Sequence, residues 1–143
     1  MPAPVIVICD DEAELLSELA EWFEAQGWNV LTASTANEAL ELLMRGGRTT
    51  CLITDRLMPL FGGDVLVQRI GALPAWARPE LVAVMTGDPS MEDGPWPSGV
   101  DVVFMKPVDP GEALAAIAKR LRARPGRVPR AVTTIPFAAT GTR

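Results

Sequence analysis

The chain has 143 residues, of which 48% are hydrophobic and 22% charged, so it can form one domain with a substantial core. No apolar run approaches the ~20 residues that span a bilayer, and we find no signal-peptide pattern. If Cys9 and Cys51 lie on neighbouring parallel strands, they are roughly 10 Å apart, too far for a disulfide. Two reduced core cysteines predict a cytoplasmic protein. The lack of a spanning segment predicts that it does not engage a membrane.

Charge is unevenly distributed. Residues 1–112 contain all 18 acidic residues, whereas residues 113–143 contain 7 basic residues and no acidic ones. We predict a domain over residues 4–123, followed by an irregular, basic tail over 124–143 that is interrupted by proline and glycine. Cations at the end of a last helix, followed by a solvated extension, explain this pattern, so we do not expect direct DNA binding.

Nearly continuous apolar runs predict parallel strands that are covered on both faces. In chain order the strands are Val5–Cys9, a weaker candidate at Asn29–Ala33, Cys51–Thr54, Leu81–Met85 and Val102–Met105.

Helical patterns separate most of these strands. Apolar stripes predict helices around residues 15–23, 39–44 and 65–70, and Asp109 is a suitable N-cap for a last helix that begins at Pro110. Between the last two strands, three prolines and two glycines occur within residues 88–99, which allows at most one or two helical turns. The alternating order predicts an α/β doubly wound sheet with a short or irregular fourth helix.

Polar residues follow the ends of four strands. They are Asp10 and Asp11, then Asp55, Thr86, and the pair Lys106–Pro107. Ligands of open α/β sheets bind outside the carboxyl ends of the strands, so these groups should converge. Three crowded carboxylates favour Mg²⁺, and a nearby ammonium and hydroxyl suit a phosphoryl group.

These motifs resemble the receiver domain of bacterial two-component response regulators. The matching stretches are Cys9–Glu12, Thr54–Pro59, Met85–Gly87 and Met105–Pro107, and the resemblance extends over roughly residues 4–123. It implies a flavodoxin-like (βα)5 fold with strand order 2-1-3-4-5. It also implies a response regulator that receives a phosphoryl group from a histidine kinase or phosphotransfer protein and then switches an interaction with a downstream protein.

The resemblance also implies residue roles. Asp55 matches the phosphoacceptor; Asp10, Asp11, Asp55 and the Leu57 backbone carbonyl match the Mg²⁺ ligands. Lys106 matches the lysine that pairs with the acceptor, and Thr86 the hydroxyl that turns toward the phosphoryl group. Such a domain catalyses only its own phosphotransfer and dephosphorylation, so it is not a conventional enzyme. The chain resembles a stand-alone receiver, or one excised from a longer protein.

Simpler interpretations exist for each motif alone. Asp10 or Asp11 could cap a helix, Asp55 and Thr86 could be turn residues, and Lys106 could be a surface lysine. All of these would have to hold at four strand ends together, which favours a site. A magnesium phosphatase of the haloacid dehalogenase type would need a second aspartate where Leu57 stands.

One departure from the family pattern affects signalling. The family usually has an aromatic residue three positions before the lysine, where this chain has Val103, and Phe104 should point to the opposite face. This leaves open a second function, a pseudo-receiver that binds proteins independently of phosphorylation.

Overall fold

Five strands and four α-helices make up the part of the chain that the computed structural model describes, residues 3–45, 47–58 and 62–123. The strands are β1 (Val5–Cys9), β2 (Asn29–Ala33), β3 (Cys51–Asp55), β4 (Leu81–Thr86) and β5 (Val102–Met105). The helices are α1 (Ala13–Ala25), α2 (Ala36–Leu43), α3 (Gly63–Gly71) and α4 (Pro110–Ala123). Short 3₁₀ helices occur at Ala75–Ala77 and Pro89–Met91.

The strands form one parallel sheet in the order β2-β1-β3-β4-β5, which confirms the predicted fold. In the register of β1 and β3, Ile6 lies opposite Cys51 and Cys9 lies opposite Thr54. The two cysteines therefore lie three positions apart along the strands. Because all five strands run in the same direction, their carboxyl ends meet at one edge of the sheet.

Helices cover both faces of the sheet and divide the core into two layers. On one face, α1 and α4 pack through Phe23 and Ile117 against residues such as Ile53. On the other face, α2 and α3 pack through Leu43 and Leu66 against the remaining strand side chains. With apolar contacts on both sides, β3 and β4 are buried along their whole length, as their uninterrupted apolar sequences predict.

The connection between β4 and β5 contains only the three-residue 3₁₀ helix Pro89–Met91, as predicted from its prolines and glycines. The last helix begins as predicted: the Glu112 amide donates to Asp109 Oδ2 at 2.8 Å, and Pro110 is the first helical residue. Within the described residues, no helix combines the length and apolar character needed to cross a membrane. The predicted tail, residues 124–143, lies outside the described residues, as does Pro59.

Candidate functional site

The first pair of aspartates follows β1. Asp10 has no exposed surface, whereas Asp11 is exposed. The backbone amide of Asp10 donates to the Ala33 carbonyl at 3.0 Å, which joins this turn to the end of β2. Its Oδ1 accepts from the Glu12 amide at 2.8 Å, but no described residue donates to its buried Oδ2. The N-cap of α1 is Glu12, so neither aspartate occupies the capping position considered from the sequence.

Asp55 is the last residue of β3 and is also buried. Its Oδ1 lies 3.1 Å from Lys106 Nζ and accepts a hydrogen bond from the Leu57 amide at 3.3 Å. Lys106 follows β5, and its ammonium group also lies 3.9 Å from Glu12 Oε1. The Lys106–Pro107 peptide bond is cis. Asp55 and Lys106, which are 51 positions apart in sequence, thus form a direct ion pair.

Thr86 is the last residue of β4 and is buried. In the register of β3 and β4, Asp55 lies opposite Met85, so Thr86 is one position beyond the level of Asp55 on the adjacent strand. Its Oγ1 accepts a hydrogen bond from the Asp88 amide at 3.0 Å. The hydroxyl therefore takes part in a local turn, as the simpler interpretation of this motif predicted. It also lies at the end of the strand next to Asp55.

The three aspartates form a compact acidic cluster, in which one carboxylate oxygen from each lies within 4.8 Å of the others. Burial raises the pKa of Asp10, and the negative charge of Asp55 raises it further, against the opposing hydrogen bond from the Glu12 amide. Burial lowers the pKa of Lys106, but the hydrogen bond and charge of Asp55 outweigh it, so the net direction is upward. The ammonium group therefore stays protonated and partly neutralises the cluster.

These residues fit a hard divalent cation. Carboxylate oxygens are the ligands that Mg²⁺ prefers, and the buried Asp10 Oδ2 is a strong acceptor for which the described residues provide no donor. An unpartnered buried carboxylate oxygen is costly in free energy, and a bound cation would remove that cost. Leu57 is 76% exposed, so its side chain does not close the site.

Two glycines shape the site, and the sequence reasoning did not identify them. At Gly63, an added Cβ would lie 2.6 Å from the Asp55 carbonyl oxygen; at Gly62 it would collide with the Arg56 carbonyl. The Gly63 amide donates to the Arg56 carbonyl at 2.8 Å. The absence of a Cβ at both positions lets the start of α3 approach the end of β3 closely, which fixes the backbone next to Asp55.

Arg56 was also missed. Its Nη1 lies 3.2 Å from Asp88 Oδ2, and its Nε lies 3.6 Å from Asp64 Oδ2. Its amide donates to the Met85 carbonyl at 2.9 Å. These contacts join the residue after Asp55 to the residue two positions after Thr86. Pairing across 32 positions carries no local sequence signal.

The strand β5 carries Val103 where the family usually has an aromatic residue, as noted from the sequence. Val103 is half-buried and lies opposite Val84, which belongs to the core layer of α2 and α3. Phe104 packs instead against the core layer of α1 and α4. The two side chains therefore occupy opposite faces, and no aromatic ring of β5 stands at the position that the family usually uses.

Comparison with known proteins agrees with the fold. Residues 6–118 match the model of the response regulator receiver domain family. The chain is 33% identical over 119 residues to the alginate biosynthesis transcriptional regulatory protein AlgB of Pseudomonas aeruginosa. The matched region covers 83% of this chain and 26% of AlgB. It is 32% identical over 102 residues to a response regulator receiver protein of Anaeromyxobacter sp. (strain Fw109-5), covering 71% of this chain and 42% of that protein.

Solved receiver structures are also similar. A response regulator receiver protein from Pseudomonas putida superposes with a TM-score of 0.70 at 27% identity, covering 83% of this chain and 98% of that one. A CheY-like receiver domain protein from Methanospirillum hungatei JF-1 gives a TM-score of 0.69 at 26% identity, with coverages of 82% and 93%. The chain belongs to the response regulator receiver domain family. It spans about a quarter of the length of AlgB, so the activity of that whole protein is not transferred to it.

Proposed function

We propose that the domain over residues 4–123 is a phosphoacceptor that receives a phosphoryl group on Asp55 and thereby switches a protein–protein interaction. The observation that supports this most directly is the buried Asp55 carboxylate, 3.1 Å from the Lys106 ammonium group and within a cluster of three aspartates. The phosphoryl donor would be a phosphohistidine on a histidine kinase or phosphotransfer protein, as in two-component systems, and the output partner a downstream protein. Its place of action would be the cytoplasm.

The chemistry requires a carboxylate nucleophile and neutralisation of phosphoryl charge. An Asp55 carboxylate oxygen attacks phosphorus; an O–P bond forms while the P–N bond of the phosphohistidine breaks, which leaves an acyl phosphate. The Lys106 ammonium group pairs with Asp55 before transfer and is placed to pair with a phosphoryl oxygen afterwards. The Thr86 hydroxyl, at the end of the adjacent strand, would donate to another phosphoryl oxygen.

Asp10, Asp11, Asp55 and the Leu57 backbone carbonyl would hold Mg²⁺. When bound, the cation supplies positive charge that offsets the repulsion among the carboxylates and the phosphoryl oxygens. The chain would catalyse only its own phosphotransfer and dephosphorylation. Leu57, in place of a second aspartate, argues against a magnesium phosphatase of the haloacid dehalogenase type.

The test is intact mass after incubation with Mg²⁺ and a small acyl phosphate or phosphoramidate. We expect one labile phosphate on the wild-type chain and on Glu41→Gln, a control that removes an exposed carboxylate on α2. We expect none on Asp55→Asn, because an amide is not a comparable nucleophile. Asp11→Asn should lose Mg²⁺-dependent phosphorylation.

Two outcomes would contradict the proposal. Peptide mapping could place the phosphate on Thr86 or Ser90, or Asp11→Asn could be fully phosphorylated at ordinary Mg²⁺ concentrations. A wild-type chain that accepts no phosphate would favour the second candidate, a phosphorylation-independent binding module. Val103 and the shortened β4–β5 helix are the features that favour that alternative.

A further inference from the structure

Residues 88–99, which we call the strap, lead from the end of β4 toward the start of β5. The first residue of the strap, Asp88, contacts the candidate site. The Asp88 amide donates to Thr86 Oγ1 at 3.0 Å, and Asp88 Oδ2 pairs with Arg56 Nη1 at 3.2 Å. Asp88 Oδ1 accepts from the amide and hydroxyl of Ser90, at 3.0 and 2.8 Å. These hydrogen bonds, with the charge of Arg56, lower the pKa of Asp88, so it remains an anion. One residue thus joins the strap to both Thr86 and the neighbour of Asp55.

The strap also contacts the last helix through the aromatic side chain of Trp96. The Trp96 indole Nε1 donates to the Met91 carbonyl at 2.7 Å, which folds the strap back on itself. The guanidinium carbon of Arg120, on α4, lies 5.5 Å from the Trp96 ring centroid, within the range of a cation–π contact. The strap therefore connects the candidate site to the last helix through named side chains.

The edge strand β5 offers no equivalent connection. Val103 is too small to act as a swinging ring, and Phe104 packs against the opposite face of the sheet. A cleft of about 330 Å³ lies along β5 between the strap residue Glu92 and the α4 residues Glu112 and Ala116. Because Glu92 lines this cleft, a displacement of Glu92 would change its shape.

We propose that Trp96 transmits the state of Asp55 to α4, replacing the missing aromatic residue of β5. This inference rests on the proposed phosphorylation of Asp55. A phosphoryl group there would add negative charge on the residue before Arg56, and that charge would compete with Asp88 for the guanidinium group. It also attracts the Thr86 hydroxyl, which now accepts from the Asp88 amide. Both ties of Asp88 to the site weaken, the strap shifts, and Trp96 changes its contact with Arg120.

The experiment follows the four tryptophan indole N–H signals in ¹⁵N-labelled protein by NMR, with Mg²⁺ alone and with Mg²⁺ plus beryllofluoride, a phosphoryl mimic. Trp96→Phe identifies the Trp96 signal. We expect beryllofluoride to shift that signal, together with the amides of residues 56–58 and of α4. In Arg120→Gln the α4 shifts should be lost and those near Asp55 retained, whereas Lys119→Gln, the adjacent exposed cation, should behave like the wild type.

A second arm does not depend on phosphorylation. Arg56→Gln without beryllofluoride should move the Trp96 signal toward its activated position, because it releases Asp88. Arg48→Gln is the matched control, since it removes an arginine that pairs at 3.0 Å with Glu80, away from the strap. Beryllofluoride shifts near Asp55 with a stationary Trp96 signal would overturn this inference but leave the proposed function intact. If beryllofluoride shifts no NMR signal and intact mass shows no phosphate, both this inference and the proposed function are overturned.

Discussion

Replacing Asp10 by asparagine should stabilise the metal-free protein while impairing its metal site. Asp10 is buried, and its carboxylate lies within 4.8 Å of two others. At that separation two unit charges repel by about 1 kcal/mol at the dielectric of water and by about 3.5 kcal/mol at an effective dielectric of ~20. The exposure of Asp11 and the attraction of Lys106 reduce the net repulsion. Asparagine keeps the acceptor for the Glu12 amide and removes the charge.

We therefore expect the metal-free Asp10→Asn variant to gain about 1–2 kcal/mol in free energy of unfolding near neutral pH. This corresponds to a rise in Tm of about 3–10 °C for a domain of this size. The gain should depend on pH. Because the folded-state pKa of Asp10 is raised above its usual value of 3.8, its protonated form favours folding at low pH, and that contribution is lost as the pH rises through the raised pKa. The advantage of asparagine should thus appear above that pKa and vanish below it.

The assay is thermal unfolding in chelator across pH, repeated with Mg²⁺. Glu41→Gln is the control, because it makes the same change in net charge on an exposed face of α2. Mg²⁺ at 100 times its dissociation constant should add about 2.7 kcal/mol to the wild type and much less to Asp10→Asn. A Tm for Asp10→Asn that is unchanged or lowered in chelator, or raised no more than that of Glu41→Gln, would refute the electrostatic reasoning.

Two further variants test the surroundings of Asp55. Lys106→Ala should retain stabilisation by Mg²⁺ but lose the coupling between phosphorylation and conformation. We expect the variant to accept phosphate normally by intact mass, without NMR amide shifts outside the site. Amide shifts like those of the wild type would contradict this. Gly63→Ala should lower the free energy of unfolding by about 1–3 kcal/mol in urea titration, because its Cβ would meet the Asp55 carbonyl at 2.6 Å. Gly71→Ala, on the same helix with open space around the new Cβ, should be neutral or stabilising by up to ~1 kcal/mol; equal losses at both positions would show that close packing is not the cause.

The strands and most helices could be predicted because their signals are local. Apolar runs such as Leu81–Met85 correspond within one residue to β4, and the Asp109–Pro110 start of α4 is a short-range capping pattern. The position of the candidate site followed from the same signals, since strand ends of a parallel sheet share one edge. The absence of a long helix between β4 and β5 was likewise predictable from the prolines and glycines of residues 88–99.

The contacts around the site could not be predicted in this way. Arg56 and Asp88 pair across 32 positions, and Trp96 meets Arg120 across 24, so neither contact leaves a periodic or capping signal. The requirement for glycine at position 63 depends on how closely α3 approaches β3, which is decided by packing. Exposed charged pairs form or fail to form with little effect on the fold, so the sequence constrains them weakly.

The difference between the buried strand ends of the site and the few contacts of the strap has a physical consequence for signalling. Asp55 and Thr86 are the last residues of strands that are buried along their whole length, so packing in the core positions them. The strap is held by a few polar contacts at Asp88 and Trp96, which a local change in charge can outweigh. Under the proposed mechanism, such a receiver would tolerate Val103 in place of an aromatic ring, because charge introduced at Asp55 would act first on the pair of Arg56 and Asp88. Signalling would then depend on whether Arg56 pairs with Asp88 or with the phosphoryl group, rather than on the rotamer of a β5 side chain.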